Sequence, residues 1–511
     1  MGSQNRRAST ASSHPGLLAR AESSRRDRGR PVGPPRDSTG SARLPRAHQR
    51  LPRNAGTDLK NHCDVPNASR ESRASTLIAL DLVKAALAAV EPASAVRRHA
   101  RREGDILMVG TERIDLSEID RVFVVGAGKA TAPMAVAIEE ILGDRIADGV
   151  ISVRYGNSTL TKRVRCIEAG HPIPDDRGVE GARQILDLCA SAGERDLVVC
   201  LFSGGGSALM VAPVEGVTLA DKRRLTDQLL RSGATINEIN TVRKHLSRAK
   251  GGNLARAAYP ARVVSLVLSD VVGSPLDTIA SGPTVPDATT YADALAVLRA
   301  NSIEGRIPST IAAHLERGAS GAEPETPKPS DSAFDRTYNI VVGSNRIAAK
   351  ALARAAEARG LNTLLVSTYV EGEAREVGIV LAAIAREVAL HDGPVARPAC
   401  VILSGETTVT VRGRGRGGRA QELALSAATK IDGLQNTFIV AFTTDGVDGP
   451  TDAAGAICGG DTLTRARALG LDAASALADN DSNGFFGRIG DLIKTGPTNT
   501  NVADLMFGLI L

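Results

Sequence analysis

Three glycine-rich turns in this sequence carry residue types that handle anions. They are Gly126-Ala127-Gly128-Lys129, Ser203-Gly204-Gly205-Gly206-Ser207 and Gly413-Arg414-Gly415-Arg416-Gly417-Gly418-Arg419, and each follows a strand-like apolar run. Glycine lets successive N–H groups curl toward one point, and such a nest beside a helix start attracts phosphate. Any one of these turns is equally well explained as a tight strand-to-helix connection. Three together, two of them bearing Lys or Arg, point to phosphate binding. Carboxylates occupy comparable places: Asp270 ends the run "SLVLSD", Asp277 follows in a Pro/Gly-rich loop, and Asp445, Asp448 and Asp452 gather in "TTDGVDGPTDAAGA". Such carboxylates suit Mg²⁺, which takes one or two of them with phosphate oxygens and water, or a base for a hydroxyl. Asp-Gly is also an ordinary turn pair. The two readings stand level for the three-Asp cluster, while Asp270 reads as functional.

Other polar residues read as structural. "NTVRKHLSRAKGGNLA" puts Arg243, Lys244, His245, Arg248 and Lys250 on a predicted helix. A charge run of this kind is ordinarily a solvated face, which is the reading for Lys244, Arg248 and Lys250, and His245 reads as a structural histidine. In "GHPIPDD" the prolines Pro172 and Pro174 account for a rigid turn, so His171 is given no role.

Several chemistries fail on spacing. The dinucleotide fingerprint needs a third glycine where Thr131 stands, and the run "GVISVRYGN" ends without the acidic residue that would hold a ribose. A Walker loop needs glycine five positions before Gly128 and finds none, and the protein-kinase signatures are missing. Leu201 and Leu209 occupy the glycine positions that a serine-nucleophile elbow at Ser203 or Ser207 would require. No His-Glu-x-x-His zinc motif occurs.

The elements that must position these groups alternate. Strand candidates are "RVFVVG", "DLVVCLF", "VVSLVLSD", "YNIVVGS", "TLLVST", "ACVILSG", "TTVTVRG" and "TFIVAFTTDG". Helical patterns lie near 132–143, 178–192, 220–231, 240–258, 345–359, 374–389 and 419–430, after a first helix capped by Ser75. The alternation predicts an α/β fold of two domains, each with a largely parallel sheet covered by helices. The Pro-rich stretch from Glu316 to Asp335 reads as a linker. It places the boundary near residue 330, giving domains 73–330 and 331–511 behind a tail of residues 1–72.

The 511 residues carry a net charge of +5. Residues 1–60 hold 13 Lys/Arg against four Asp/Glu, so the remainder, with 49 basic and 53 acidic residues, is mildly acidic. A basic tail on such a body gives no sign of nucleic-acid binding. The tail's Arg, Ser, Pro and Gly content predicts disorder. It loosely resembles an organellar transit peptide but lacks an apolar face. The six cysteines are scattered without a Cys-x-x-Cys pair, which predicts buried free thiols in a reducing compartment, the cytoplasm. No apolar run is long enough to span a membrane.

The motifs together resemble the class II glycerate kinases, the glycerate 2-kinase group with a C-terminal MOFRL-type domain, some of which carry the label hydroxypyruvate reductase. The resemblance rests on "VVGAGKATAPMA", "EAGHPIPDDRG", "LFSGGGSALM", "INEINTVRKHLSRAKGGNLA", "LSDVVGSPLDTIASGPTVPD", "VVGSNRIA", "EGEAREVG", "LSGETTVTVRGRGRGGRAQELAL" and "TTDGVDGPTDAAGA", spread over about residues 75–511. It implies ATP- and Mg²⁺-dependent phosphorylation of D-glycerate to 2-phosphoglycerate (3-phosphoglycerate being the other product) in a cleft between two α/β domains. It places catalytic weight on Lys129, Asp270 and Arg419. On that reading Lys129 and Arg419 neutralise the γ-phosphoryl group, with the amides of Gly417 and Gly418 converging on the same anion. Asp270 orients or deprotonates the hydroxyl, and the Ser203–Ser207 turn cradles a phosphate or the substrate carboxylate. Asp445 or Asp448 holds Mg²⁺, and Arg243 is a candidate for the glycerate carboxylate. The partners implied are the small-molecule substrate, without nucleic acid or membrane; a homo-oligomer is compatible. Ser274, Ala420 and Asn499 depart from the family's acidic residue, Asn and Gly. The competing activity is a nicotinamide-dependent hydroxypyruvate reductase.

Overall fold

A computed structural model describes residues 70–511; residues 1–69, which hold most of the predicted tail and Cys63, lie outside the described residues. A small antiparallel sheet comes first, from β1 (Ala100–Glu103), β2 (Ile106–Val109) and β3 (Glu112–Asp115). The first large sheet contains β4 (Val122–Ala127), β5 (Ile146–Arg154), β6 (Val164–Ala169), β7 (Leu197–Phe202), β8 (Arg262–Leu268) and β9 (Thr337–Gly343). Its order is β6-β5-β4-β7-β8-β9, and every pairing is parallel. β4 and β7 are buried along their whole length, which is why they read as unbroken apolar runs rather than alternating ones. From β4 the chain builds outward through β5 to β6, then returns to lay β7 on the other side of β4. Between β4 and β7 the strand order therefore reverses, and in open α/β sheets ligands collect at the carboxyl ends of strands at such a switch point.

The second sheet comprises β10 (Asn362–Glu373), β11 (Ala399–Thr408), β12 (Thr437–Thr443), β13 (Gly455–Gly459), β14 (Leu492–Ile493) and β15 (Asp504–Ile510), in the order β10-β11-β15-β12-β13-β14. It departs from the expected parallel arrangement. Only β10 and β11 pair in parallel, because the last strand, β15, inserts antiparallel between β11 and β12, and β13 and β14 follow antiparallel at the edge.

The boundary also moves. β9 follows residue 330 yet pairs with β8, so it belongs to the first sheet. The supposed linker is built into that lobe: buried Thr326 donates to Asp287 Oδ2 at 3.1 Å, and Arg256 reaches the Glu325 carbonyl at 2.9 Å. The chain changes sheets after Gly343, through the helix Asn345–Glu357. This helix packs on the helix Arg70–Ala89 and on β10 and β11. One continuous apolar core joins Leu82 and Val83 of the first helix, Val124 and Leu266 of the first sheet, Leu352, and Cys400, Phe442 and Phe507 of the second sheet.

Three local expectations change. Ser75 is a buried residue inside the first helix rather than its cap, because the helix begins at Arg70. The predicted helix 240–258 splits into Ile236–His245 and Asn253–Ala258, interrupted where Gly251 and Gly252 take φ of 56° and 82°. "TTVTVRG" is no separate strand, since β11 ends at Thr408. The five described cysteines are free, all but Cys166 buried. Among the described residues no helix is long and apolar enough to cross a membrane.

Candidate active site at the joint of the two sheets

Lys129 and the Ser203–Ser207 turn leave β4 and β7 side by side at the switch point. Gly126 packs directly on the Leu201 carbonyl and Gly128 (φ 149°) on Ser203, so neither has room for a Cβ. The two turns are stitched together: Lys129 N–H donates to the Gly204 carbonyl at 2.9 Å, and Ala130 N–H to Ser203 Oγ at 3.0 Å. Ser203 is fully buried and its hydroxyl also pairs with Thr131 Oγ1 at 3.2 Å. It fastens the turn and is not a phosphate contact. Gly206 is likewise turned inward, its N–H donating to the Ser203 carbonyl. The amides of Gly204 and Gly205 make no hydrogen bond among the described residues and are free to meet an anion.

Three side chains close around those two glycines. The Asp270 carboxylate, at the end of β8, lies against Gly204, leaving no space for a side chain there. A Cβ on Gly205 would lie 2.8 Å from His171 Cδ2 and 3.3 Å from Lys129 Cε. Burial pushes the Asp270 carboxyl above its ordinary range; Lys129 opposes this, and Glu406 of the second sheet adds to it. Burial, then Lys129 and Arg154, push His171 down to about 4, which keeps its imidazole neutral near pH 7. Sequence reasoning passed over His171; the signal was the "GHPIPDD" turn itself.

The second lobe faces this corner. Lys129, Asn157 and Gly204 line a cavity of about 530 Å³ together with Asp445, Asn499 and Thr500. Asp445 is half-buried and accepts from Val447 N–H at 3.1 Å. Asn499 adopts φ of 60°. The left-handed region explains why glycine is the expected residue there and why Asn is tolerated.

Arg419 opens the helix Arg419–Ile431. Its guanidinium is gripped by Asp504 of β15 (Nε to Oδ2 2.6 Å, Nη2 to Oδ1 2.9 Å) and by Glu406 of β11 (2.6 Å). Burial raises the Asp504 carboxyl and Arg419 opposes the rise. Glu406 pairs with Arg419 and also acts on Asp270, the carboxylate on which Lys129 acts, so Glu406 links the two corners electrostatically.

Only the last two glycines of the loop before Arg419 keep free amides. The amides of its first four residues are taken internally: Gly413 donates to Asn480 Oδ1 at 3.0 Å, Arg414 to Asp479 Oδ1 at 2.8 Å, Gly415 to the Asp479 carbonyl at 2.8 Å and Arg416 to Asp481 Oδ1 at 3.1 Å, while the Gly417 and Gly418 amides make no hydrogen bond among the described residues. Gly417 packs on Ser482 and Gly418 on Asp448. Nor is Asp448 a free metal ligand. It is fully buried and accepts from Ala420 N–H at 3.1 Å, Gln421 N–H at 2.9 Å and Gln421 Nε2 at 2.9 Å. It therefore caps the helix that starts with Arg419, filling the positive helix end with an internal carboxylate. Asp448→Ala is expected to cost about 2–3 kcal/mol, the cap plus the amides left unsatisfied, with Asp448→Asn milder; urea midpoints check this. Asp452 pairs with Lys494 at 2.8 Å on the surface. Departing Ala420 needs only its backbone for the cap.

The predicted solvated face is also largely buried. Lys244 is paired with Asp287 at 3.4 Å and Asp277 at 3.5 Å. His245 meets Glu325 at 2.9 Å, as a structural histidine would. Lys250 lies beneath the Ser203–Ser207 turn, donating to the Ser207 carbonyl at 2.8 Å. Arg248 is exposed as expected.

Residues 78–316 match a family described as a domain of unknown function (DUF4147), and residues 399–504 match the MOFRL family. The chain is 42% identical to the glycerate 2-kinase of Pyrococcus horikoshii over 85% of this chain and 97% of that protein. The chain belongs to the glycerate 2-kinase family. The solved glycerate kinase of Thermotoga maritima shares the fold with a TM-score of 0.78 at 40% identity, covering 86% of this chain and all of that one. A relative from Agrobacterium vitis, provisionally named a hydroxypyruvate reductase, is 45% identical over 76% of this chain and 87% of its own length. Family membership accounts for the α/β fold shared with the solved relative.

Proposed function

We propose that this protein transfers the terminal phosphoryl group of ATP to D-glycerate, giving ADP and 2-phosphoglycerate. The observation that carries this reading is the corner at the switch point, where Lys129, Asp270 and the free amides of Gly204 and Gly205 converge. Phosphoryl transfer asks for positioning and charge neutralisation more than covalent chemistry. Lys129 and the two amides hold the migrating group from the first lobe. Arg419, braced by buried Asp504, contributes from the second lobe as phosphate oxygens take the place of the more exposed Glu406. Asp270 accepts the proton of the attacking hydroxyl while the bond from phosphorus to the ADP oxygen breaks. Its raised affinity for a proton suits that role.

Asp445 offers a hard oxygen beside Lys129, a donor that fits Mg²⁺ shared with phosphate oxygens. Bound there, the ion would neutralise charge on the nucleotide. The provisional name of the Agrobacterium relative supplies the competing reading, a reductase. Incubation with D-glycerate and ATP-Mg²⁺ should yield ADP and a phosphorus NMR signal of 2-phosphoglycerate, with NADH unconsumed by hydroxypyruvate. NADH oxidation without ADP release would replace the kinase reading, and a 3-phosphoglycerate signal would correct the product.

A further inference from the structure

Under the far end of the Ser203–Ser207 turn lie two buried lysines and an arginine that no carboxylate balances. Lys250 is 2% exposed, and its ammonium meets only neutral oxygens: the Ser207 carbonyl at 2.8 Å, Ser207 Oγ at 3.1 Å and the Met210 carbonyl at 3.4 Å. Lys222, also buried, donates to the Leu246 carbonyl at 2.7 Å. Arg243 is half-buried and makes no hydrogen bond or ion pair with any described residue. It stands three positions after Asn240, on the same face of the helix Ile236–His245. Burial and then Arg243 depress Lys222, and burial, Lys222 and Arg243 depress Lys250; no acid opposes either shift. The deficit is local, because the next residue, Lys244, has two aspartates.

The backbone around this charge is strained. Ala280, Ser281 and Gly282 take φ of 51°, 61° and 64° in succession, a cost that persists where function requires it. Ser281 joins a directed chain: Lys250 donates to Ser207, Ser207 Oγ pairs with Ser281 Oγ at 2.9 Å, and Ser281 donates to Asn240 Oδ1 at 3.2 Å. Buried amines without a counter-charge shed their protons, and an arriving anion restores the charged form. The same turn touches Asp270 and Lys129 at Gly204 and Gly205, a few residues from Ser207.

We infer that Arg243 and Asn240, over buried Lys250 and Lys222, seat the carboxylate of the acceptor, so that the enzyme selects short hydroxy acids over neutral polyols. This assignment rests on the kinase reading and extends it to acceptor choice. Arg243 contacts the substrate; Lys250 holds the turn, and both lysines, pushed toward the neutral amine by burial, hold a proton more tightly once a carboxylate joins them.

The test uses the full chain with Arg243→Met and Arg243→Lys, varying D-glycerate at saturating ATP-Mg²⁺. In Arg243→Met the KM for glycerate should rise about 100-fold, with the KM for ATP unmoved and the preference for glycerate over glycerol narrowed. Arg243→Lys should recover part of the loss. Without ligand, Arg243→Met should be no less stable to urea than wild type, because it removes an unpaired charge. An unchanged glycerate KM, a shift in the ATP KM instead, or a clear drop in urea midpoint would each overturn the carboxylate seat. Absence of wild-type turnover with glycerate would overturn the kinase reading itself, which separates the two failures.

Discussion

Lys129→Met is expected to leave the fold intact and to slow phosphoryl transfer by about 10²–10³-fold, the roughly 3–4 kcal/mol that one preorganised charge contact supplies to a transition state. The side chain sits over Gly205 with its backbone already fixed by Gly204, so its removal opens no core. A second signature follows from its neighbour. Lys129 holds the Asp270 carboxyl down against burial. Without that charge the carboxyl binds its proton more tightly, and the acid limb of kcat/KM against pH moves to higher pH. Near-normal turnover in Lys129→Met, or an acid limb that does not move, would remove Lys129 from the chemistry.

Arg419→Met should damage both stability and rate. The guanidinium is the counter-charge of Asp504, which is 2% exposed in the middle strand of the second sheet. Breaking a buried pair from one side typically costs about 3–5 kcal/mol, because the remaining charge stays buried or must take up a proton. The urea midpoint should fall accordingly, and the folded fraction should still turn over at least about 10²-fold more slowly, through loss of one charge on the migrating group. Arg419→Lys retains the charge but not the two-pronged grip on Asp504, so it should recover stability in part and rate less. An Arg419→Met protein that is destabilised yet fully active per folded molecule would make Arg419 a structural brace alone.

Much of the candidate site's geometry was legible in the sequence because parallel strands buried on both faces read as continuous apolar runs, and their connecting turns emerge side by side at one end of the sheet. Lys129, Gly204, Gly205 and Asp270 fall in one corner for that reason. The start of the loop, Gly413–Arg416, was misleading because a nest of amides looks the same whether its anion is a ligand or the protein's own carboxylate. Here Asp479 and Asp481 arrive from a distant segment that no local pattern connects to the loop. Lys250 and Lys244 read as surface charges because burial of a lysine depends on what the chain folds over it. The second sheet was misjudged because nothing in the run "DLMFGLI" reveals that the final strand inserts antiparallel between two others.

The central claim is that the two lobes meet over one migrating phosphoryl group. A crystal structure with a non-hydrolysable ATP analogue, Mg²⁺ and D-glycerate tests it most directly. The account predicts the terminal phosphate within contact of Lys129 Nζ and the Gly204–Gly205 amides, Arg419 reaching it from the other side, and the glycerate hydroxyl against Asp270. A terminal phosphate bound away from Lys129, with Arg419 still closed on Asp504 and Glu406, would contradict it.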